Sequence, residues 1–300
     1  DVQKMEEVEI TGSADNAVGV WDAASQGAVT GKEIEQQPLT RPGEVLETVP
    51  GMIVTQHAGD GKANQYFLRG FNLDHGTDFA TFVDGMPVNM PTHAHGQGYS
   101  DLNWLIPELV RRIDYKKGPY FAAEGAFTSA GAARIGLFGE LPKGIASLTL
   151  GEHRYERGLL AKSLALGSGQ LLYAVEAAHN DGPWDNPEKF HRLNGVLRYS
   201  LADGDSRSSL TAMAYSAGWN STDQIPQRAV DSGLVSRFGA IDPSDGGSTA
   251  RYSLSYQHNR SFDDGRLEFN AYAIRSRLDL YSNFTYNLDN TRHSIGYPNT

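Results

Sequence analysis

The stretches Tyr66-Phe67-Leu68-Arg69-Gly70-Phe71 and Phe82-Val83-Asp84-Gly85-Met86-Pro87 decide how this chain is read. Both are short runs rich in aromatic and branched residues that stop at a glycine, the composition of a strand entering a turn. They predict strands over Gln65 to Arg69 and Phe79 to Val83, the second ending at Asp84-Gly85. Working outward, Thr30-Gly31-Lys32-Glu33 pairs a capping residue with a following Glu and predicts a helix start. Pro42 to Leu46 opens a second short helix, which ends at Val49-Pro50-Gly51 because a residue before proline is pushed out of the helical region. Met52 to Gln56 reads as a strand and His57 to Ala63 as a Gly-containing loop. Leu102 to Leu109 reads as a short helix, and Arg111 to Lys116 as a strand stopped by Gly118-Pro119. The result is a mixed α/β unit over 32–139, preceded by a polar tail over 1–31 with one β-like run at Val8 to Thr11.

From residue 140 to 300 the pattern changes. Leu193, Leu197, Tyr199 and Leu201 alternate with Arg192, Asn194, Arg198 and Ser200. Tyr252, Leu254 and Tyr256 alternate with Arg251, Ser253, Ser255 and Gln257, and Leu267, Phe269 and Ala271 with Arg266, Glu268 and Asn270. Period two is the strand signature, and the text supports about seven strands between Gly144 and Tyr281. The apolar face changes near Arg275, which predicts a bulge. Connections alternate between tight turns (Gly167-Ser168-Gly169, Ala202 to Ser206, Phe262 to Gly265) and long polar loops (Asp181 to Lys189, Trp219 to Thr249). That asymmetry is how outer-membrane barrels are built, although a soluble β-sandwich alternates too.

Composition narrows the field. With no cysteine among 300 residues, disulfide scaffolds, thiolate metal sites and thiol catalysis are excluded. A net charge of -10 with only short basic clusters gives no footprint for nucleic acid. No apolar run approaches the ~18 residues of a membrane helix, a test that barrel strands escape. Mean hydropathy is -0.44, and 33 glycines with 14 tyrosines suit an all-β chain with many turns. Asp1 to Ile10 is acidic and polar and lacks a leader pattern, as expected of a mature form.

In order along the chain, Leu46 to Met52, Tyr66 to Phe71, Phe82 to Pro87, Ile106 to Asp114 and Lys117-Gly118-Pro119 resemble the motif series of TonB-dependent receptor plugs. Glu7-Val8-Glu9-Ile10-Thr11 is similar to the family's TonB box. The text departs from the family after Gly118-Pro119, where Tyr120 to Ala132 replaces the usual ending. The resemblance implies a mixed α/β plug followed by an antiparallel transmembrane β-barrel of about 22 strands, of which only the N-terminal strands are present. It implies location in the outer membrane of a Gram-negative bacterium, contact with its lipid, and energy supplied by TonB pulling on the box. The activity implied is active import of a metal ion or metal chelate, with the metal as cargo, no cofactor and no catalysis.

Two plug loops reach the binding cavity in this family, here Gln56 to Asn64 and Asn89 to Asp101. They offer His57, Asp60, His93, His95, Gln97 and Tyr99 as ligand contacts. Imidazole suits Zn, Cu, Ni and Fe, so His93 and His95 are candidate metal ligands, completed by His57 or Asp60. Contact with a larger chelate and plain loop structure remain open for the same residues. Met86 and Met90 could favour copper; Tyr99, Trp104 and Tyr120 could stack on an aromatic ligand, Trp104 reading more readily as core. Family topology puts His75 on the opposite, periplasmic side. Arg69, Arg111, Arg112 and Glu124 are expected to pair across the interface between plug and barrel. The rival readings are a secreted metal-dependent hydrolase, for which neither HExxH nor G-x-S-x-G is present, and a carbohydrate-binding β-sandwich.

Overall fold

Two short strands open the computed structural model, β1 (Val20–Ala23) and β2 (Gln26–Thr30), and they already belong to a sheet. The structure describes residues 20–23, 25–56, 60–93 and 96–283. The expected polar tail therefore ends earlier than residue 31: Gln26 to Thr30 pair antiparallel with Lys116 to Arg112. Ala28 and Val29 are buried there, which the flanking polar residues concealed.

Helix α1 (Gly31–Glu35) starts as its capping signature requires. Thr30 N and Oγ1 donate to Glu33 Oε2 at 2.7 and 3.0 Å. A 3-10 turn over Pro42–Thr48 follows, then β3 (Met52–Thr55), β4 (Gln65–Leu68) and β5 (Phe71–Asn72), which form a three-stranded sheet. β6 (Phe79–Val83) and β7 (Met86–Pro87) make a hairpin around Asp84 and Gly85, whose φ values of 46° and 75° are those of a tight two-residue turn. β8 (Val110–Lys117) and β9 (Gly131–Leu137) complete a six-stranded sheet in the order β1-β2-β8-β9-β6-β7, with β6 and β9 parallel. Val45, Leu46, Leu73, Phe79, Ile113 and Ile135 fill the space between sheets and turns.

The helix expected over Leu102 to Leu109 is not there. Leu102, Leu105, Ile106 and Leu109 have helical spacing and are all buried, but Pro107 holds Ile106 extended (φ -98°, ψ 106°). Only a 3-10 turn over Pro107–Leu109 remains.

Seven long strands follow in sequence order: β10 (Ile145–Leu150), β11 (Glu156–Leu166), β12 (Gly169–Asn180), β13 (Phe190–Asp203), β14 (Ser206–Asn220), β15 (Gly246–Phe262) and β16 (Gly265–Tyr281). The three tight turns all lie at one end of this wall. The loops 181–189 and 221–245 lie at the other, the second carrying α2 (Gln227–Asp231). No bulge occurs at Arg275: β15 and β16 stay in one unbroken register from Gly246↔Tyr281 to Phe262↔Gly265. The apolar residues simply change side, because Ile274, Leu278 and Leu280 turn inward and pack against the buried core that the N-terminal unit and the wall share.

The outward face is apolar along a slanted band. The row Leu150, Glu156, His179, His191, Gly218, Ser248, Asp279 runs from apolar on β10 to polar on β16. Nearer the tight turns, the row Lys162, Tyr173, Leu197, Ala212, Leu254, Ala273 runs the opposite way. A band that crosses the ladder obliquely is what strands tilted against a flat apolar layer produce. Leu148, Leu193, Leu254 and Phe269 on this face are exposed, with no second sheet over them among the described residues, unlike the inner face of a β-sandwich. The inward face mixes buried polar residues such as Glu176 and Arg251 with apolar ones such as Leu159, Leu172 and Met213, and it meets the N-terminal unit.

Candidate functional site

Four arginines on inward-facing positions of the wall look toward the N-terminal unit. Arg157 on β11 makes a bidentate pair with Glu108, at 2.7 and 2.9 Å, and reaches Glu176 on β12 at 2.6 Å. Arg192 on β13 shares Glu176 at 2.9 Å, and Glu176 is fully buried. Arg198, also on β13, pairs with Asp84, whose other carboxylate oxygen accepts the Leu137 N–H at 3.1 Å. Arg251 on β15 lies over the Trp104 ring, 3.8 Å from its centroid. Further contacts come from β12, where Asn180 donates to Asp60 at 2.9 Å, and from β16, where Asn270 donates to Gly85 O at 2.9 Å. On β14, Trp219 packs so closely on Gly61 that a Cβ there would lie 2.0 Å from the ring.

These are not the interface residues expected from sequence. Glu124 is held inside the N-terminal unit by Lys116 and Arg134, each at 2.7 Å. Arg112 pairs with Asp114 on its own strand at 2.7 Å. Arg111 lines a cavity of about 850 Å³ beside Glu108 and Arg157, and Arg69 occupies the exposed turn after β4 with φ 54°. Alternation marked the wall's inward arginines as polar-face residues, but their carboxylate partners lie far away in sequence.

At the long-loop end, a cavity of about 530 Å³ separates the unit from the wall. Met90, His93, Tyr99, Asp101 and Trp104 line one side; Thr249, Arg251, Ser276 and Arg277 line the other. Buried Asn89 sets the geometry: its Oδ1 accepts Thr81 N at 2.7 Å, and its Nδ2 donates to the carbonyls of Gly76, Phe79 and Gly98 at 2.8 to 3.1 Å. The Tyr99 hydroxyl accepts Ala63 N at 2.8 Å, joining the two apical loops. His93 stacks on Tyr99 with centroids 4.1 Å apart and rings 3° from parallel.

His75, expected on the opposite side, is here as well. Its ring lies 5.7 Å from Tyr99, and Nδ1 is 3.1 Å from both Ala63 O and Asn64 O. Two carbonyl acceptors require the proton on Nδ1. Burial lowers the basicity of His75 and His93; Asp74 opposes the shift at His75, and His75 adds to it at His93. Burial pushes the Asp101 carboxyl up to about 6, against the pull of the Asn103 N–H, Arg251 and Arg192.

Of the predicted ligand contacts, His93 and Tyr99 line the cavity. Asp60 does not: it is engaged by Gln56 and Asn180, with Arg41 at 3.8 Å. Gln97 is exposed and outside the lining. His57 and His95 lie outside the described residues, as does the box at Glu7-Val8-Glu9-Ile10-Thr11. Among the described residues no three His, Asp or Glu side chains are placed to hold a metal ion. Met86 is core, Met90 borders the cavity, and Tyr120 is exposed elsewhere. Trp104 is both core and cavity floor. Sequence reasoning missed Asp101 and Arg251; the second stands on a polar face that alternation had already marked.

A globule pinned by ion pairs to the polar face of a tilted antiparallel wall is a specific arrangement, and residues 22–132 match the TonB-dependent receptor plug domain. Residues 22–132 are a TonB-dependent receptor plug domain. The plug is followed by strands matching the family's barrels. The copper transporter OprC is similar in fold at 19% identity, with a TM-score of 0.64 over 87% of this chain and 39% of that one. The ferric yersiniabactin uptake receptor FyuA from Yersinia pestis gives a TM-score of 0.68 at 15% identity, over 87% of this chain and 42% of its own. The siderophore receptor PirA from Acinetobacter baumannii gives 0.61 at 15% identity, over 90% and 42%. This chain thus spans about two fifths of the length of those receptors, at identities where the likeness is one of fold.

Proposed function

We propose that the chain carries the plug and N-terminal barrel strands of an importer that takes a metal ion or metal chelate across the outer membrane of a Gram-negative bacterium, driven by TonB. The observation that carries this reading is the cavity of about 530 Å³ between plug apex and barrel wall at the long-loop end. A cargo seated there touches both bodies at once, so movement of the plug changes its grip. The plug is fixed to the wall by polar pairs such as Glu108–Arg157, which can be broken and remade without baring an apolar core. The slanted apolar band supports a lipid-facing exterior, and Glu7 to Thr11 is the segment proposed to meet TonB. The similar receptors named for copper and for siderophores favour a metal-bearing cargo over the hydrolase alternative. His93 with His95 stays the proposed metal contact.

The test is accumulation of radiolabelled iron, zinc and copper, free and chelated, in cells with and without the protein, before and after a protonophore. Import predicts uptake of one cargo that needs both the protein and the proton gradient. Uptake indifferent to the protonophore would sink the reading.

A further inference from the structure

Three of the four inward arginines reach a carboxylate: Arg157 to Glu108 and Glu176, Arg192 to Glu176, Arg198 to Asp84. Arg251 does not, among the described residues. Its Nη1 donates to Ser253 Oγ at 3.0 Å, and its Nη2 has no hydrogen-bond partner. Yet the residue is only 8% exposed and lines the cavity. A buried charge without a partner is costly, and the protein interior here needs no cation to complete its bonding. The guanidinium is also held in place over Trp104, so it is positioned in advance. Arg277 borders the same cavity but is occupied by Asp279 at 2.7 Å. The acid that Arg251 feels is Asp101, which is outside ion-pair distance and whose burial favours its neutral form near pH 6.

We propose that Arg251 anchors a carboxylate group of the cargo, so that this cavity takes an anionic carboxylate chelate rather than a bare metal cation. The inference rests on the import reading and narrows it. A guanidinium presents paired N–H groups that match a carboxylate in shape and charge. A free divalent cation placed there would face the same positive charge, with no cluster of three donors among the described residues to offset it. The cavity's 530 Å³ suits a small chelate in contact with Trp104, Arg251 and the His93–Tyr99 stack.

The test uses the protein purified in detergent, with citrate and zinc sulfate as separate probes and tryptophan fluorescence as the readout. Citrate should bind the wild type, and Arg251→Gln should weaken it by about 10- to 100-fold, the range of a charge-assisted pair. Arg251→Lys should fall between the two, and Asp101→Asn should bind more tightly than wild type, because a competing negative charge is gone. A circular dichroism spectrum and thermal midpoint like those of the wild type keep each variant interpretable. Citrate binding absent in wild type, or equal in Arg251→Gln, overturns the proposal, as does Arg251→Lys binding no better than Arg251→Gln. Zinc ion binding to the wild type at least as tight as citrate binding also overturns it. The measurement needs neither TonB nor transport. Intact Arg251-dependent binding in a protein that fails to import would therefore count against import alone.

Discussion

Replacing Glu108 with Gln should loosen the plug without unfolding it. The side chain gives Arg157 two charge-assisted bonds, at 2.7 and 2.9 Å. Arg157 keeps a share of Glu176 at 2.6 Å, so the full penalty of a broken buried pair does not apply. Glu108 is also 34% exposed, which screens the interaction. Charge-assisted bonds contribute about 1.5–3 kcal/mol when well shielded, and this one should contribute about 1–2. At 1.4 kcal/mol per factor of ten, opening of the plug edge should become about 5- to 30-fold more frequent. Amide hydrogen exchange along β8, next to Glu108, measures it in detergent-held protein. Unchanged exchange in Glu108→Gln would refute the reasoning.

Asn89→Ala removes a buried amide that makes four bonds and should destabilise the plug by roughly 3 kcal/mol, visible as a lower urea midpoint with freer Tyr99 fluorescence; a midpoint within error of wild type would contradict it. Asp101, facing Arg251, Arg192, Tyr66, Tyr99 and Tyr215, has a folded pKa raised from 3.8 to about 6. The folded state therefore holds the extra proton, and stability falls as pH rises from about 4 through 6. Asp101→Asn should be more stable than wild type at pH 7.5 by up to ~3 kcal/mol, with the gap closing below pH 4. Equal urea midpoints at pH 7.5 would count against the assignment. Leu193→Arg, on the outward band, should cost about 2–4 kcal/mol of barrel stability in lipid, whereas a substitution without effect in bilayer unfolding would place that face in water.

Alternation fixed the strands around Arg192, Arg251 and Arg266 because a face packed on apolar surroundings imposes period two locally. The same logic failed at Arg275. There the inward face packs against the shared apolar core, so Ile274, Leu278 and Leu280 turn in, and only the pairing register distinguishes that from a bulge. Leu102 to Leu109 misled because a segment buried on all sides can show helical spacing by accident, while Pro107 carried the overriding steric information. The cavity was half legible. His93 and Tyr99 sit in a loop of unusual composition, but Arg251 is an ordinary polar-face residue until its missing counter-ion is seen. His75 was misplaced because the direction of its turn depends on hydrogen bonds to Ala63 and Asn64, a dozen residues earlier.

The Asp84-Gly85 turn is gripped from two staves of the wall, by Arg198 on β13 and by Asn270 on β16. The second contact joins positions 185 residues apart. Closing so long a loop is slow, and nothing rewards it until the intervening strands have zipped. The hairpin tip therefore behaves as a gauge set into the wall: the spacing between β13 and β16 is right only when both side chains reach the same two residues. Synthesis must run past Asn270 before the globule made first is seated, so seating and wall assembly finish as one event.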